Sequence, residues 1–220
     1  MNNKGKNINE IINSRADEIL KKYLPNFYKE TLYSIHDSNQ HVITLFSIAL
    51  ACRGKTFIEL GVRNGTTTLP ILLGAFFNKG QLFSVDVQDT EFQCPEELRP
   101  NWKFVKGDAI EFLSAWDSSK KIDFVYIDDW HAYEHVKKEL EYLDMYVSPS
   151  SIILIHDLMY GNTQPFYHTD LTIKKGQWAN GGPYRAVAEL DLNFWEWSTL
   201  PWNNGLTILR KKYSSKYHSR

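Results

Sequence analysis

From Thr56 onward, short apolar runs alternate with helix-length stretches, and this alternation limits the fold more than any other feature of the chain. Thr56-Phe57-Ile58-Glu59-Leu60, Gln81-Leu82-Phe83-Ser84-Val85, Trp102–Lys106, Ile122–Ile127 and Ser151–Ile155 read as strands. Between them Leu69–Phe77, Ala109–Trp116 and Tyr133–Tyr146 read as helices. Strands this apolar need cover on both faces, which predicts an α/β fold with a mostly parallel sheet between helical layers. Near the end, Phe194–Ser198 and Leu206–Leu209 flank Pro201-Trp202-Asn203-Asn204-Gly205. An Asn-Gly pair between two apolar runs predicts an antiparallel hairpin.

Ahead of this core, Ile8, Ile11, Ile12, Ile19, Leu20 and Tyr23 fall at three- and four-residue steps, and Pro25 is expected to end that helix. A second helix is expected to start near Asp37 or Ser38, either of which can cap it, and to stop near Gly54. No linker separates these helices from the rest. The expected organisation is one domain over 1–220, with 1–54 an N-terminal helical elaboration and 55–212 the core. The Ile8–Tyr23 face can serve either the core or a homo-oligomer contact. The loop Leu158–Gly182 carries Tyr160, Phe166, Tyr167, His168 and Trp178. Its length and aromatic content favour a lid or a wall facing a substrate over the alternative of an ordinary packed excursion.

Composition narrows the function. The 220 residues, 43% of them hydrophobic, suffice for one substantial core. With 25 basic and 26 acidic residues the net charge is -1, so no bulk attraction to nucleic acid or anionic lipid is expected. No apolar run approaches the roughly 18 residues of a membrane span, and no apolar leader follows Met1, so a cytoplasmic protein acting on a small molecule is expected. The two cysteines, Cys52 and Cys94, exclude a disulfide scaffold and have no visible activating partner. No Gly-x-Ser-x-Gly elbow is present. The basic tail from Arg210 reads as solvated, and Lys137, Lys138, Glu139 and Glu141 read as an outer charged helix face.

The strongest motif is Glu59-Leu60-Gly61-Val62-Arg63-Asn64-Gly65-Thr66-Thr67-Thr68, which leaves a strand and enters a helix. Ligands of open parallel sheets sit beyond the strands' carboxyl ends, against helix N-termini. Gly61 permits a close backbone approach and Gly65 a tight turn into the helix. Arg63 stands where the dinucleotide fingerprint requires glycine. Glu59, if it faces the loop mouth, repels a pyrophosphate and suits a cationic or amino-bearing ligand. Asp86, at the end of the next strand, can accept from ribose hydroxyls. Asp108, in Gly107-Asp108-Ala109, either accepts from a base amine or caps the following helix.

In order and spacing, Glu59-x-Gly61-x-x-x-Gly65, Asp86, Gly107-Asp108-Ala109 and Asp128 resemble the class I S-adenosylmethionine-dependent methyltransferases, over about Thr56 to Lys211. Tyr126-Ile127-Asp128-Asp129-Trp130-His131, Ile152-Ile153-Leu154-Ile155-His156-Asp157 and Gly182-Pro183-Tyr184-Arg185 extend the likeness. The group resembled is the small-molecule O-methyltransferases that include macrolide-sugar methyltransferases and cephalosporin-hydroxylase-like proteins. The resemblance implies a Rossmann-like fold with a C-terminal antiparallel hairpin, S-adenosylmethionine as cofactor and a sugar or natural-product hydroxyl as acceptor. It implies that Glu59, Gly61 and Gly65 surround the methionine and ribose portion, that Asp86 holds the ribose, that Asp108 and Ala109 border the adenine, and that Asp128 faces the sulfonium. A further family glycine is replaced by Arg63, which can turn toward the acceptor instead.

Asp128-Asp129-Trp130-His131 and His156-Asp157 end neighbouring strands and can converge on one cleft. The resemblance implies Mg²⁺ on Asp128 and Asp157, with His131 as the general base and Asp128 and His156 completing the catalytic group. His156 stands where metal-binding relatives carry an acid. The alternative is that the two aspartates cap helices or loops and that both histidines are hydrogen-bonded in the cleft. Three other readings stay open: a non-catalytic protein that binds S-adenosylmethionine or a partner, a cephalosporin-hydroxylase-like enzyme, and a dinucleotide oxidoreductase, which Arg63 and Glu59 disfavour.

Overall fold

The computed structural model describes the backbone of residues 8–34, 37–159, 175–176 and 178–213, and the side chains of the same stretches except 8–15 and 37. Seven strands form one sheet: β1 (Thr56–Leu60), β2 (Gln81–Asp86), β3 (Trp102–Lys106), β4 (Ile122–Ile127), β5 (Val147–His156), β6 (Trp195–Leu200) and β7 (Leu206–Lys211). Their order is β3-β2-β1-β4-β5-β7-β6. The first five are parallel, β7 runs antiparallel to β5, and β6 pairs antiparallel with β7. The predicted α/β fold and hairpin are both present. In the hairpin turn Asn203, Asn204 and Gly205 all take positive φ, a conformation that Asn and Gly adopt at low cost.

The strands are apolar throughout because alternate residues serve two cores. Ile58, Leu60, Val125, Ile127, Ile153 and Ile155 pack on one face with α4 (Ala109–Ser114), α5 (Tyr133–Tyr146) and α6 (Gly182–Ala188). Phe57, Leu82, Phe124, Tyr126 and Leu154 pack on the other with α1 (Ile8–Tyr33), α2 (Val42–Ala51) and α3 (Thr68–Phe77). Full burial of a side chain of this size contributes roughly 1.5–3 kcal/mol, so each core anchors its own helical layer.

Two N-terminal expectations are corrected. Pro25 does not end α1, which continues to Tyr33 with the proline inside it. Ile19, Tyr23 and Phe27, at four-residue steps, are all buried with residues of α2, and this packing on both sides of the proline outweighs its missing N–H. Nor does α2 start at Asp37 or Ser38. A 3₁₀ turn, Asp37–His41, precedes it, and the helix ends at Ala51. Ser38 is committed to Asp128 instead. Of the long loop, Tyr160, Phe166, Tyr167 and His168 lie outside the described residues.

Candidate functional site

The chain visits β2 and β3 on one side of β1, then crosses to β4 and β5 on the other. At such a switch the loops leaving β1 and β4 diverge and open a crevice at the strands' carboxyl ends. A cavity of about 900 Å³ lies here, lined by Gly61, Arg63, Asp86, Asp108, Ala109, Asp128, Asp129, Trp130 and His135 among others, a volume within the range of small-molecule pockets. A second recess of about 170 Å³ adjoins it, bounded by Ser38, Asn39, Val62, Thr67 and Asp128. Gly61 and Asp128 border both.

The glycine loop is built from beneath. Glu59 does not face the mouth, as expected from sequence; it is fully buried and lines neither cavity. Its carboxylate accepts from Ser84 Oγ at 2.6 Å, Thr67 Oγ1 at 2.8 Å and Thr68 Oγ1 at 2.9 Å. Ser84 is its register partner on β2, while the threonines open α3, so Glu59 ties the strand pair to the start of the helix. Burial raises its pKa to about 7 against the lowering effect of the three hydroxyls. Gly65 also lies outside both cavities; at φ 82° a Cβ there would stand 2.4 Å from the Phe92 ring. Gly61, at φ 89°, passes so close to the β4 exit that a Cβ would stand 2.3 Å from the Asp128 carbonyl oxygen. The close approach read into Gly61 is therefore made first to the chain itself.

Asp86 and Asp108 both reach the 900 Å³ cavity. Asp86 Oδ2 accepts from the backbone N–H of Val62 at 2.9 Å and of Arg63 at 3.1 Å, and Oδ1 from Gln88 at 2.9 Å. It both shapes the loop and lines the space beyond. Asp108 Oδ1 caps α4 by accepting from Ile110 and Glu111. The capping reading of Asp108 holds and leaves the residue on the cavity wall.

Asp128 and His156–Asp157 converge as predicted. Asp128 Oδ2 accepts from Tyr126 Oη at 2.8 Å and Ser38 Oγ at 2.9 Å. Its Oδ1 faces His131 Nε2 at 3.4 Å and His156 Nδ1 at 3.5 Å. Asp157 reaches the same two rings, at 3.1 Å from His131 Nε2 and 3.2 Å from His156 Nδ1. His156 Nε2 donates to the Asn203 carbonyl at 2.9 Å, which orients Nδ1 toward the carboxylates. Burial pushes Asp128 up, but His156 and His131 outweigh it and hold it well below the usual carboxylate range; Asp157 is lowered to about 2 by hydrogen bonding to the same rings. His131 is raised to about 9 by Asp128 and Asp157 despite desolvation, and His156 is raised for the same reasons.

Donor atoms of Asp128, His131 and Asp157 all lie within 4.8 Å of one another. Ligand atoms about 2.1 Å from one ion stand roughly 3.0–3.4 Å apart, close to the separations found here. His156 Nδ1 and Asp157 Oδ1 are buried without a hydrogen bond of good geometry. The two carboxylates, with either His131 or His156 Nδ1 (3.5 Å from Asp128 and 3.2 Å from Asp157), therefore fit a divalent cation.

Sequence reasoning missed Ser38 and Tyr126. Tyr126 stands two residues before Asp128 on one strand face, a spacing that was readable. Ser38 is 90 positions from its partner, with no local signal. Trp178 stacks on His131 with ring centroids 4.4 Å apart and an interplanar angle of 24°, so the described part of the long loop does face the cluster. Glu139 is also corrected: it is not on the outer face of α5 but fully buried, because it shares a stripe with Tyr133, Val136, Leu140 and Leu143.

Residues 58–158 match the family model described as a methyltransferase domain. TomG from Streptomyces achromogenes, an O-methyltransferase involved in tomaymycin synthesis and solved with S-adenosylmethionine, is 12% identical; the alignment covers 91% of this chain and 89% of that one, with TM-score 0.63. An O-methyltransferase from Bacillus cereus in complex with S-adenosylhomocysteine is 12% identical over 88% of this chain and 90% of that one, TM-score 0.60. CalS11, a TDP-rhamnose 3'-O-methyltransferase of calicheamicin biosynthesis, is 18% identical over 88% and 86%, TM-score 0.57. No curated protein is similar in sequence. The architecture is that of the class I methyltransferases, a Rossmann-like sheet with an antiparallel C-terminal pair. Within it, the stretch 58–158 is the part that matches the methyltransferase-domain model. Among the described residues no helix is long and apolar enough to cross a membrane.

Proposed function

We propose that the protein transfers the methyl group of S-adenosylmethionine to a hydroxyl oxygen of a small polar acceptor such as a sugar or natural product. The observation that carries this reading is the adjacency of two different environments at Asp128: a cofactor-sized cavity on one side and a buried acid–histidine cluster on the other. The folds of TomG, the Bacillus cereus enzyme and CalS11, with the names and ligands they carry, support it.

In this reading Asp86 holds the ribose hydroxyls, Asp108 and Ala109 border the adenine, Gly61 borders the methionine portion, and Asp128 faces the sulfonium side. Glu59 and Gly65 act from behind by holding the loop. Since the sulfonium is already activated, most of the rate comes from aligning acceptor oxygen, methyl carbon and sulfur. A divalent cation such as Mg²⁺ held by Asp128 and Asp157, with His156 beside them, would lower the acceptor hydroxyl's pKa. His131 takes the hydroxyl proton. Between two carboxylates it is held as imidazolium, so it serves as a base only when positive charge elsewhere in the cluster offsets those carboxylates. Trp178 covers its ring and limits water.

Calorimetric titration with S-adenosylhomocysteine, with NAD⁺ as control, tests the cofactor. Micromolar binding that Asp86→Ala abolishes is expected. Clear NAD⁺ binding with none of the sulfur ligand would overturn the reading.

A further inference from the structure

A second group of metal-ligating side chains, two on the cavity wall and one buried behind it, has no part in the reaction above. Asp129 leaves β4 beside Asp128, while His135 and Glu139 lie one turn apart on the same face of α5. Their donor atoms lie within 4.8 Å of one another. His135 Nε2 stands 3.0 Å from Asp129 Oδ2 and 3.6 Å from Glu139 Oε1. These separations bracket the roughly 3.0–3.4 Å expected of atoms that share one ion at about 2.1 Å.

The independent observation is Glu139 itself. It is fully buried, and neither of its carboxylate oxygens makes a hydrogen bond among the described residues. Asp129 Oδ1 is buried without one as well. An ionised carboxylate out of water requires a cation or several donors. Even a protonated His135 leaves two carboxylates against one positive charge, whereas a divalent ion with neutral imidazole balances both.

We propose that Asp129, His135 and Glu139 bind a divalent transition-metal ion, a site whose donors are wholly distinct from Asp128, His131 and Asp157. One imidazole nitrogen with two carboxylates suits the Zn²⁺, Co²⁺ and Mn²⁺ class better than Mg²⁺. The ion joins the exit of β4 to the first turns of α5 and thereby fixes the intervening segment that carries Trp130 and His131. Its role is to hold that segment; it touches neither acceptor nor methyl group.

The test uses chelator-stripped full-length protein carrying Asp128→Asn and Asp157→Asn, which removes the other cluster. This protein is titrated with Zn²⁺ and Co²⁺, with ion content measured by elemental analysis and bound Co²⁺ followed by visible absorption. One ion per chain is expected, with a rise in Tm on adding Zn²⁺. Adding Glu139→Gln should weaken binding by about 100-fold or more, since loss of a mere supporting group already costs 10–100-fold, and should abolish the Tm rise. Circular dichroism reports folding; if the Gln variant unfolds, Asp129→Asn, on the cavity wall, takes its place. No ion in the double-Asn protein, or equal affinity with and without Glu139→Gln, would overturn the site and assign the cluster a shared proton instead. Either result is independent of whether S-adenosylmethionine binds.

Discussion

His131 lies flat against the indole of Trp178, with centroids 4.4 Å apart, while its Nε2 points between Asp157 at 3.1 Å and Asp128 at 3.4 Å. Trp178 covers one face of the ring, and its Nε2 edge lies between two strand ends. Removing the ring should lower turnover by about 10²-fold or more, the usual contribution of a positioned acid–base group. His131→Ala with full turnover and an unchanged pH profile would remove it as the base.

Trp178→Ala should leave the ring in place but open it to water. Turnover should fall less than in His131→Ala, on the order of tenfold. The ring's pKa should move down from about 9 toward the ordinary histidine value as solvent screens the carboxylates. Histidine NMR titration of the cation-free protein reads this directly, and an unmoved titration would show that the stacking has no electrostatic consequence.

Stability should vary with pH through the same ring. The folded-state pKa of about 9 lies above the ordinary 6.5, so the imidazolium's contribution is fully present below about pH 6.5 and is lost as pH rises through 9. The shift sets a ceiling of about 3 kcal/mol. In cation-free protein, the gap in urea midpoint between wild type and His131→Gln should shrink across that window; a constant gap contradicts the linkage.

Gly61→Ala should be among the most damaging single-methyl changes in the chain. The new Cβ would meet the Asp128 carbonyl at 2.3 Å, and the backbone φ of 89° is unfavourable to any side chain. A loss above about 2 kcal/mol is expected, with cofactor affinity falling alongside it. Denaturant unfolding together with S-adenosylhomocysteine titration measures both.

Replacing Glu59 by Ala leaves the hydroxyls of Thr67, Thr68 and Ser84 without their common acceptor. Unmet buried polar groups cost about 1–3 kcal/mol each. Glu59→Gln keeps an acceptor and the volume, so its penalty should be clearly smaller. Equal unfolding midpoints for the two variants would mean that the hydroxyls find other partners.

What was legible in the sequence follows from range. The limits of β1, β3, β4 and α5 were read directly, because apolar pattern and turn residues act over a few positions. Gly61, Asp86 and Asp128 stood out for a similar reason: strand-to-helix turns at a sheet's carboxyl end expose whatever follows the strand. Orientation was harder. Glu59 precedes the glycine by two residues, and only the three hydroxyls around it, one of them on another strand, decide that it turns inward. Glu139 was hidden by its neighbours: Lys138 and Glu141 pair in solvent, and their charges mask the apolar stripe that carries Glu139 under. The partnership of Ser38 with Asp128 arises from packing α1 and the following 3₁₀ turn near the β4 exit, and nothing local announces it. Pro25 fails as a stop signal because propensity yields where Tyr23 and Phe27 are already buried.

The crossing of Gly61 over the Asp128 carbonyl joins the loops that leave β1 and β4 at a point too narrow for a methyl group. The loops from β1 and β4 have no slack between them there. A ligand that pulls on the β1 loop must be felt at the cluster around Asp128, and one gripped by that cluster must tighten or loosen the β1 loop in return. Affinity at either place is then a joint property, and equal, reciprocal changes in the two dissociation constants are its thermodynamic signature.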